Sequence, residues 1–131
     1  MSNQITLLIV EDEPLIMMDL QFSAEDRDCR VLSACNCEQA LQHLADNSAI
    51  HAAVLDVSLG KTETCLPIAR ELDRQGIPFI LHSGDLNRHE ERIRTLDAPL
   101  LAKPMPSGEV IEAAIERGDE AKGQPLRQAA G

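Results

Sequence analysis

Aromatic side chains are nearly missing from this sequence: two Phe, no Tyr and no Trp among 131 residues. A core of this size must therefore be aliphatic, built from Leu, Ile, Val and Ala. Positive charge is also short. Twelve Lys and Arg face 22 Asp and Glu, a formal net charge of −10, and phosphate backbones are held by a surplus of the opposite sign. The expectation is a protein with no nucleic-acid partner. No apolar run approaches the ~18 residues that span a bilayer, and no charged-then-apolar leader opens the chain, so no membrane association is expected. The four cysteines (Cys29, Cys35, Cys37, Cys65) are too few for a disulfide scaffold, and they point to a reducing, cytoplasmic setting.

What is present is alternation. Residues 5–10 form a short run of branched apolar side chains, as in a strand buried on both faces, and the run stops at Glu11-Asp12-Glu13-Pro14. Proline is tolerated in a first helical turn and acids favour a helix N-terminus, so a helix is predicted from there to about Asp28. Arg30 to Ala34 reads as a weaker strand. Cys37, Ala40, Leu41 and Leu44 then recur at i, i+3, i+4 and i+7, one apolar helical face. Ile50 to Val57 is a third strand. Cys65, Ile68, Ala69 and Leu72 mark a third helix, with Pro67 near its start and Gly76 past its end. Strands are predicted at Pro78 to His82 and Pro99 to Ala102, with the sparsest helical pattern, Leu86 to Leu96, between them. A last helix starts near Pro106-Ser107 and carries Val110, Ile111, Ala114 and Ile115. From Gly118 onward the composition turns to Gly, Pro, Gln, Ala and charge. The expected division is thus a domain over 1–117 and an irregular tail over 118–131.

Five strands alternating with five helices, without a hairpin signal, imply right-handed crossovers and a parallel sheet covered on both faces. The fold class is α/β, doubly wound. In such a sheet every strand's carboxyl end lies on one edge, where ligands bind. Glu11 and Asp12 follow the first strand, Asp56 ends the third, Ser83 follows the fourth and Lys103 follows the fifth. Three acids in one place favour a hard divalent cation with oxygen ligands, and Mg2+ would offset phosphoryl charge as well. One carboxylate can then act as nucleophile toward phosphorus. Lys103 and Ser83 are suited to hold phosphoryl oxygens.

In this order and at these strand ends, Glu11-Asp12, Asp56, Ser83 and Lys103-Pro104 make the chain similar to the receiver domains of response regulators (CheY-like). The resemblance covers roughly residues 5–117. It implies a (βα)5 flavodoxin-like sheet, five-stranded and parallel, of strand order 2-1-3-4-5. It also implies phosphorylation on Asp56, with Asp12, Asp56 and the main-chain carbonyl of Ser58 as Mg2+ ligands and Glu11 acting through water. Lys103-Pro104 would be a cis peptide. Implied partners are a sensor histidine kinase or histidine phosphotransfer protein and a downstream protein, for a stand-alone phosphoacceptor switch that is not a turnover enzyme. Oligomeric state is left open. A looser resemblance, through Pro78-Phe79 and Ser83-Gly84, is to alphaproteobacterial single-domain regulators of the FATGUY type, although their Phe-Ala-Thr core reads Leu81-His82-Ser83 here.

Departures from the family pattern matter. Leu100 stands three residues before the lysine, where an aromatic ring is frequent, and Met105 stands where Phe is frequent. The stretch after Asp56 lacks the common Met-Pro turn. Ser58 and Asp85 lie where receivers tune the lifetime of the phosphoryl group. A phosphate-independent docking protein is the alternative function. A haloacid-dehalogenase-type phosphatase fits poorly, because Ser58 stands where its second Asp belongs. Cys35-x-Cys37 lacks a second pair at zinc spacing, and two small residues at a helix start explain it. His82 is placed to tune the site.

Overall fold

The computed structural model describes residues 4–47, 49–59, 63–84, 96 and 98–121. Its strands are β1 (Thr6–Val10), β2 (Arg30–Ala34), β3 (Ala52–Asp56), the two-residue pieces β4 (Ser58–Leu59) and β5 (Glu63–Thr64), β6 (Phe79–Ser83) and β7 (Leu100–Ala102). Five of them form one parallel sheet in the order β2-β1-β3-β6-β7. Numbered among themselves, these five strands are ordered 2-1-3-4-5, as expected. The helices are α1 (Pro14–Asp26), α2 (Cys37–Asp46), α3 (Leu66–Gln75) and α4 (Ser107–Ala121). The helix expected over Leu86 to Leu96 and the turn residue Asp85 lie outside the described residues, except that Leu96 packs against the core.

Strand alternation divides the apolar residues between two cores. Leu8, Val10, Ala53, Leu55, Phe79 and Leu81 face one side, where Leu44 of α2 and Ile68 and Leu72 of α3 close over them. Leu7, Ile9, Ala52, Val54 and Ile80 face the other, against Leu20 and Ala24 of α1 and Val110, Ile111, Ala114 and Ile115 of α4. Each large aliphatic side chain removed from water is worth ~1.5–3 kcal/mol. Among these residues Phe79 alone is aromatic; Phe22, on α1, is 59% exposed. Leu41 departs from the predicted helical face. Ala40 and Leu44 are buried, whereas Leu41 is 36% exposed at the flank of α2.

Local chemistry fixes the helix ends. Asn36 caps α2 by accepting from the Gln39 amide at 2.8 Å, and the Gln39 side chain accepts from the Cys35 amide at 2.8 Å. Gly76 ends α3 in the left-handed region (φ 73°), which a residue without Cβ adopts freely. Glu13, at the N-cap of α1, makes no capping bond with its side chain, so α1 relies on Pro14 instead.

Two features differ from the sequence expectation. After Asp56 the chain forms a small antiparallel ladder, β4 with β5, where no hairpin is expected. The last helix also continues past Arg117 to Ala121. Buried Asp119 receives a hydrogen bond from the buried His51 ring at 2.9 Å, and a Cβ on Gly118 would lie 2.4 Å from His51 Cδ2. Residues that read as tail composition are thus held against the start of β3. Among the described residues no helix is long and apolar enough to cross a membrane.

Candidate acidic site at the carboxyl edge of the sheet

Two strand ends deliver the acids. The Glu11 amide donates to the Ala34 carbonyl at 3.0 Å, carrying the β1–β2 pairing one residue further and fixing the Glu11 side chain at 2% exposure. Its Oε2 accepts from the Glu13 amide at 3.2 Å. Asp56, the last residue of β3, is 5% exposed, while Asp12 faces solvent. One oxygen from each of Glu11, Asp12 and Asp56 lies within 4.8 Å of the other two. Among the described residues this trio forms such a group; Cys35 and Cys37 belong to none.

Lys103 supplies the opposing charge. It follows β7, its amide donates to the Ser83 carbonyl at 2.8 Å, and its peptide with Pro104 is cis. Its Nζ lies 3.1 Å from Glu11 Oε1 and 3.4 Å from Asp56 Oδ1. Ser83 is buried at the end of β6, one residue beyond the His82 that pairs in register with Asp56. Ser58 opens β4 directly after Val57, two residues beyond Asp56. The structure therefore brings Glu11, Asp12, Asp56 and Lys103 together, with Ser83 at the end of the neighbouring strand β6.

One ammonium does not balance three carboxylates, and the titration of the site reflects that. Burial, then the charge and hydrogen bond of Glu11, push the Asp56 carboxyl up to about 8; Lys103 pulls the other way without prevailing. Burial acts to lower the Lys103 ammonium, but Asp56 and Glu11 outweigh it and hold its pKa above the ordinary value. A divalent cation suits this arrangement: all donors are hard oxygens, and a buried carboxyl that resists ionisation gains most from a second positive charge. Asp12, open to solvent, leaves a path for an ion and its waters.

The sequence reading missed two features of the surroundings. His82 is 3% exposed and neither ring nitrogen has a hydrogen-bond partner. Burial, followed by the charge of Lys103, lowers its pKa against the opposing effect of Glu11. Its burial was legible from its place inside a strand; its lack of partners was not. The second is the Cys65 thiol, pushed up to about 12 chiefly by burial, whose amide donates to the Val57 carbonyl at 3.1 Å and ties α3 to the segment after Asp56.

No family model matches the sequence, and no curated protein matches it. Solved structures do. A response regulator receiver protein from Sinorhizobium medicae superposes with a TM-score of 0.80 at 21% identity, over 91% of this chain and 98% of that one. A CheY-like receiver domain protein from Methanospirillum hungatei gives 0.79 at 18% identity, over 92% and 98%. SdrG from Sphingomonas melonis is nearer in sequence, 36% identical over 86% of this chain and 95% of its own, with a TM-score of 0.70. With the sheet order, the acidic edge and these likenesses in agreement, the chain belongs to the response regulator receiver (CheY-like) domains.

Proposed function

We propose that this receiver works as a phosphorylation switch in a two-component phosphorelay, taking a phosphoryl group on Asp56 from a sensor histidine kinase or a histidine phosphotransfer protein. The observation that carries the reading is the position of Lys103 Nζ, between Glu11 and Asp56 at 3.1 and 3.4 Å, beside three clustered carboxylates. Asp12, Asp56 and the main-chain carbonyl of Ser58 would hold Mg2+, with Glu11 acting through water. The ion would offset the negative charge that gathers when a phosphoryl group meets a carboxylate. Lys103 is a cation already poised at the nucleophile, able to exchange a carboxylate oxygen for a phosphoryl oxygen over a short distance. Ser83 would hydrogen-bond a second phosphoryl oxygen. Output would be by contact with a downstream protein.

The test is intact mass after incubation with acetyl phosphate and Mg2+, beside Asp56→Asn and a magnesium-free control. One added phosphate in the first sample and none in the controls is expected. An adduct that survives Asp56→Asn refutes the assignment.

A second reading, a docking protein that does not respond to phosphate, is favoured by one observation. Leu100 is 38% exposed on β7, where the family resemblance leads one to expect an aromatic ring. Partner affinity unchanged by beryllofluoride would support it.

A further inference from the structure

Helix α1 carries hydrocarbon on more than the side it buries. Leu20 and Ala24 are buried, and Ile16 and Met17 pack beside them against the same core. On the opposite face Leu15, Met18 and Phe22 are 72%, 44% and 59% exposed. Their spacing, i, i+3 and i+7, sets them in one row along two turns, about 10 Å of helix. One of the two phenylalanines of the chain therefore stands in solvent. A helix that is apolar all round is the pattern of an element covered on both sides. Scattered exposed apolar residues need no explanation, but a continuous row of large ones marks a contact surface.

Charge around the row is of one sign. No Lys or Arg occurs from Pro14 to Asp26. Asp19 and Asp26 are exposed, and helical spacing sets them along the flank of the row that turns toward α4, where the Ser23 and Ser107 hydroxyls meet at 2.6 Å. Exposed Glu25 lies on the other flank. Beyond the first flank, α4 presents Glu109 and Glu116 to solvent, along a groove they share with Glu112 and Arg27. Arg27 does not offset these acids toward the row, because Glu112 holds it at 2.7 Å and it donates to the Ser23 carbonyl at 3.0 Å.

The chemistry of the occupant follows from this pairing of hydrocarbon with acids. A second copy of the chain fits badly. Two α1 helices laid together in either direction set acids against acids, on molecules that each carry a net charge of −10. A helix with an apolar row of its own and cationic side chains beside it satisfies both features at once.

We propose that the row formed by Leu15, Met18 and Phe22 is a docking surface for a protein partner that presents a basic amphipathic helix. Its apolar side chains lie on the row, and its Lys or Arg side chains face Asp19, Asp26 and the exposed acids of α4. Phe22 is the anchor, since aromatic side chains carry the largest share of the energy in small contacts. The surface lies outside the cluster of Glu11, Asp56 and Lys103, and it stands under either reading of that cluster, with or without phosphate.

The test uses the full chain without Mg2+ or phosphodonor. The probe is a helical peptide of about 18 residues, Leu and Lys in amphipathic order, titrated by 1H–15N NMR. Saturable shifts centred on Leu15, Met18 and Phe22 are expected. The same peptide with Glu in place of Lys should bind at least about tenfold more weakly. Phe22→Ser, at an exposed position that should leave amide dispersion intact, should weaken the Leu–Lys peptide by a similar factor. Asp19→Asn combined with Asp26→Asn should flatten the salt dependence while the shifts stay in place. If Phe22→Ser has no effect, the peptide answers to net charge alone and the proposal is overturned; shifts centred elsewhere overturn it too. Sedimentation of the chain without peptide should show a monomer. A dimer that Phe22→Ser dissociates would assign the row to a second copy and refute the basic partner.

Discussion

Replacing Asp56 with Asn should stabilise this protein in the absence of Mg2+, increasingly so as the pH rises. The unfolded chain releases the Asp56 proton near 3.8, whereas the folded one holds it to about 8. Below the lower value both states are protonated and the group contributes nothing. Between the two the folded state binds more protons than the unfolded, so stability falls with rising pH, by up to ~1.4 kcal/mol per pH unit. Above about 8 both states are ionised and the whole penalty is present. The window sets a ceiling of about 6 kcal/mol. Side chains and water relax around the new charge, and about half of that ceiling is the expected loss. Against a domain stability of ~5–15 kcal/mol this is large. Urea unfolding in EDTA at pH 5, 7 and 8.5 reads it as a midpoint difference. The Asn variant should gain about 1–2 M over wild type at pH 8.5, and much less at pH 5. An advantage that stays flat with pH, or grows toward acid, would show that the carboxylate is not the strained group. Adding Mg2+ at pH 8.5 should raise the wild-type midpoint and leave that of the variant unchanged.

Further expectations follow from the same structure. Mg2+ binding near pH 7 should release close to one proton, because the carboxyl held protonated to about 8 must ionise; calorimetry in buffers of different ionisation enthalpy measures it, and no proton release refutes the link. Gly118→Ala places a Cβ 2.4–2.7 Å from His51 atoms, backbone included, and should cost about 1–3 kcal/mol in urea unfolding. Gly76→Ala meets no atom within 4 Å, so its cost should be that of the left-handed backbone alone, about 1 kcal/mol, and Gly76→Asn should cost less. Arg27→Ala removes an ion pair with Glu112 that is about a third exposed, and a change above ~1 kcal/mol would contradict its assignment as a surface contact.

Much of this architecture could be read directly. Strands buried on both faces announce themselves as unbroken apolar runs, and the acid or base that ends a run falls on the carboxyl edge of the sheet. Glu11, Asp56 and Lys103 are legible in this way as neighbours, and the structure brings them within ion-pairing distance. What escaped depends on contacts between distant segments. Asp119 sits in a stretch whose composition reads as tail, and only its bond to His51 shows that the helix continues. The ladder of Ser58–Leu59 with Glu63–Thr64 has too few residues to show a period of two. Leu41 illustrates the opposite error. Its spacing fits the apolar face of α2, but that face is narrow, since Ala40 and Leu44 already fill the space against the sheet.

The partition of the apolar residues by the sheet has a consequence for how this sequence can change. Neighbours along a strand, such as Leu8 and Ile9, belong to opposite compartments and share almost no packing partners. Truncations placed one in each compartment, Leu44→Ala with Ile111→Ala for example, should have additive energetic effects, whereas Leu44→Ala with Leu72→Ala should couple through a common void. Epistasis in this protein should therefore follow strand parity rather than distance along the chain, and each half of the interior could be exchanged by mutation while the other keeps the acidic edge in place.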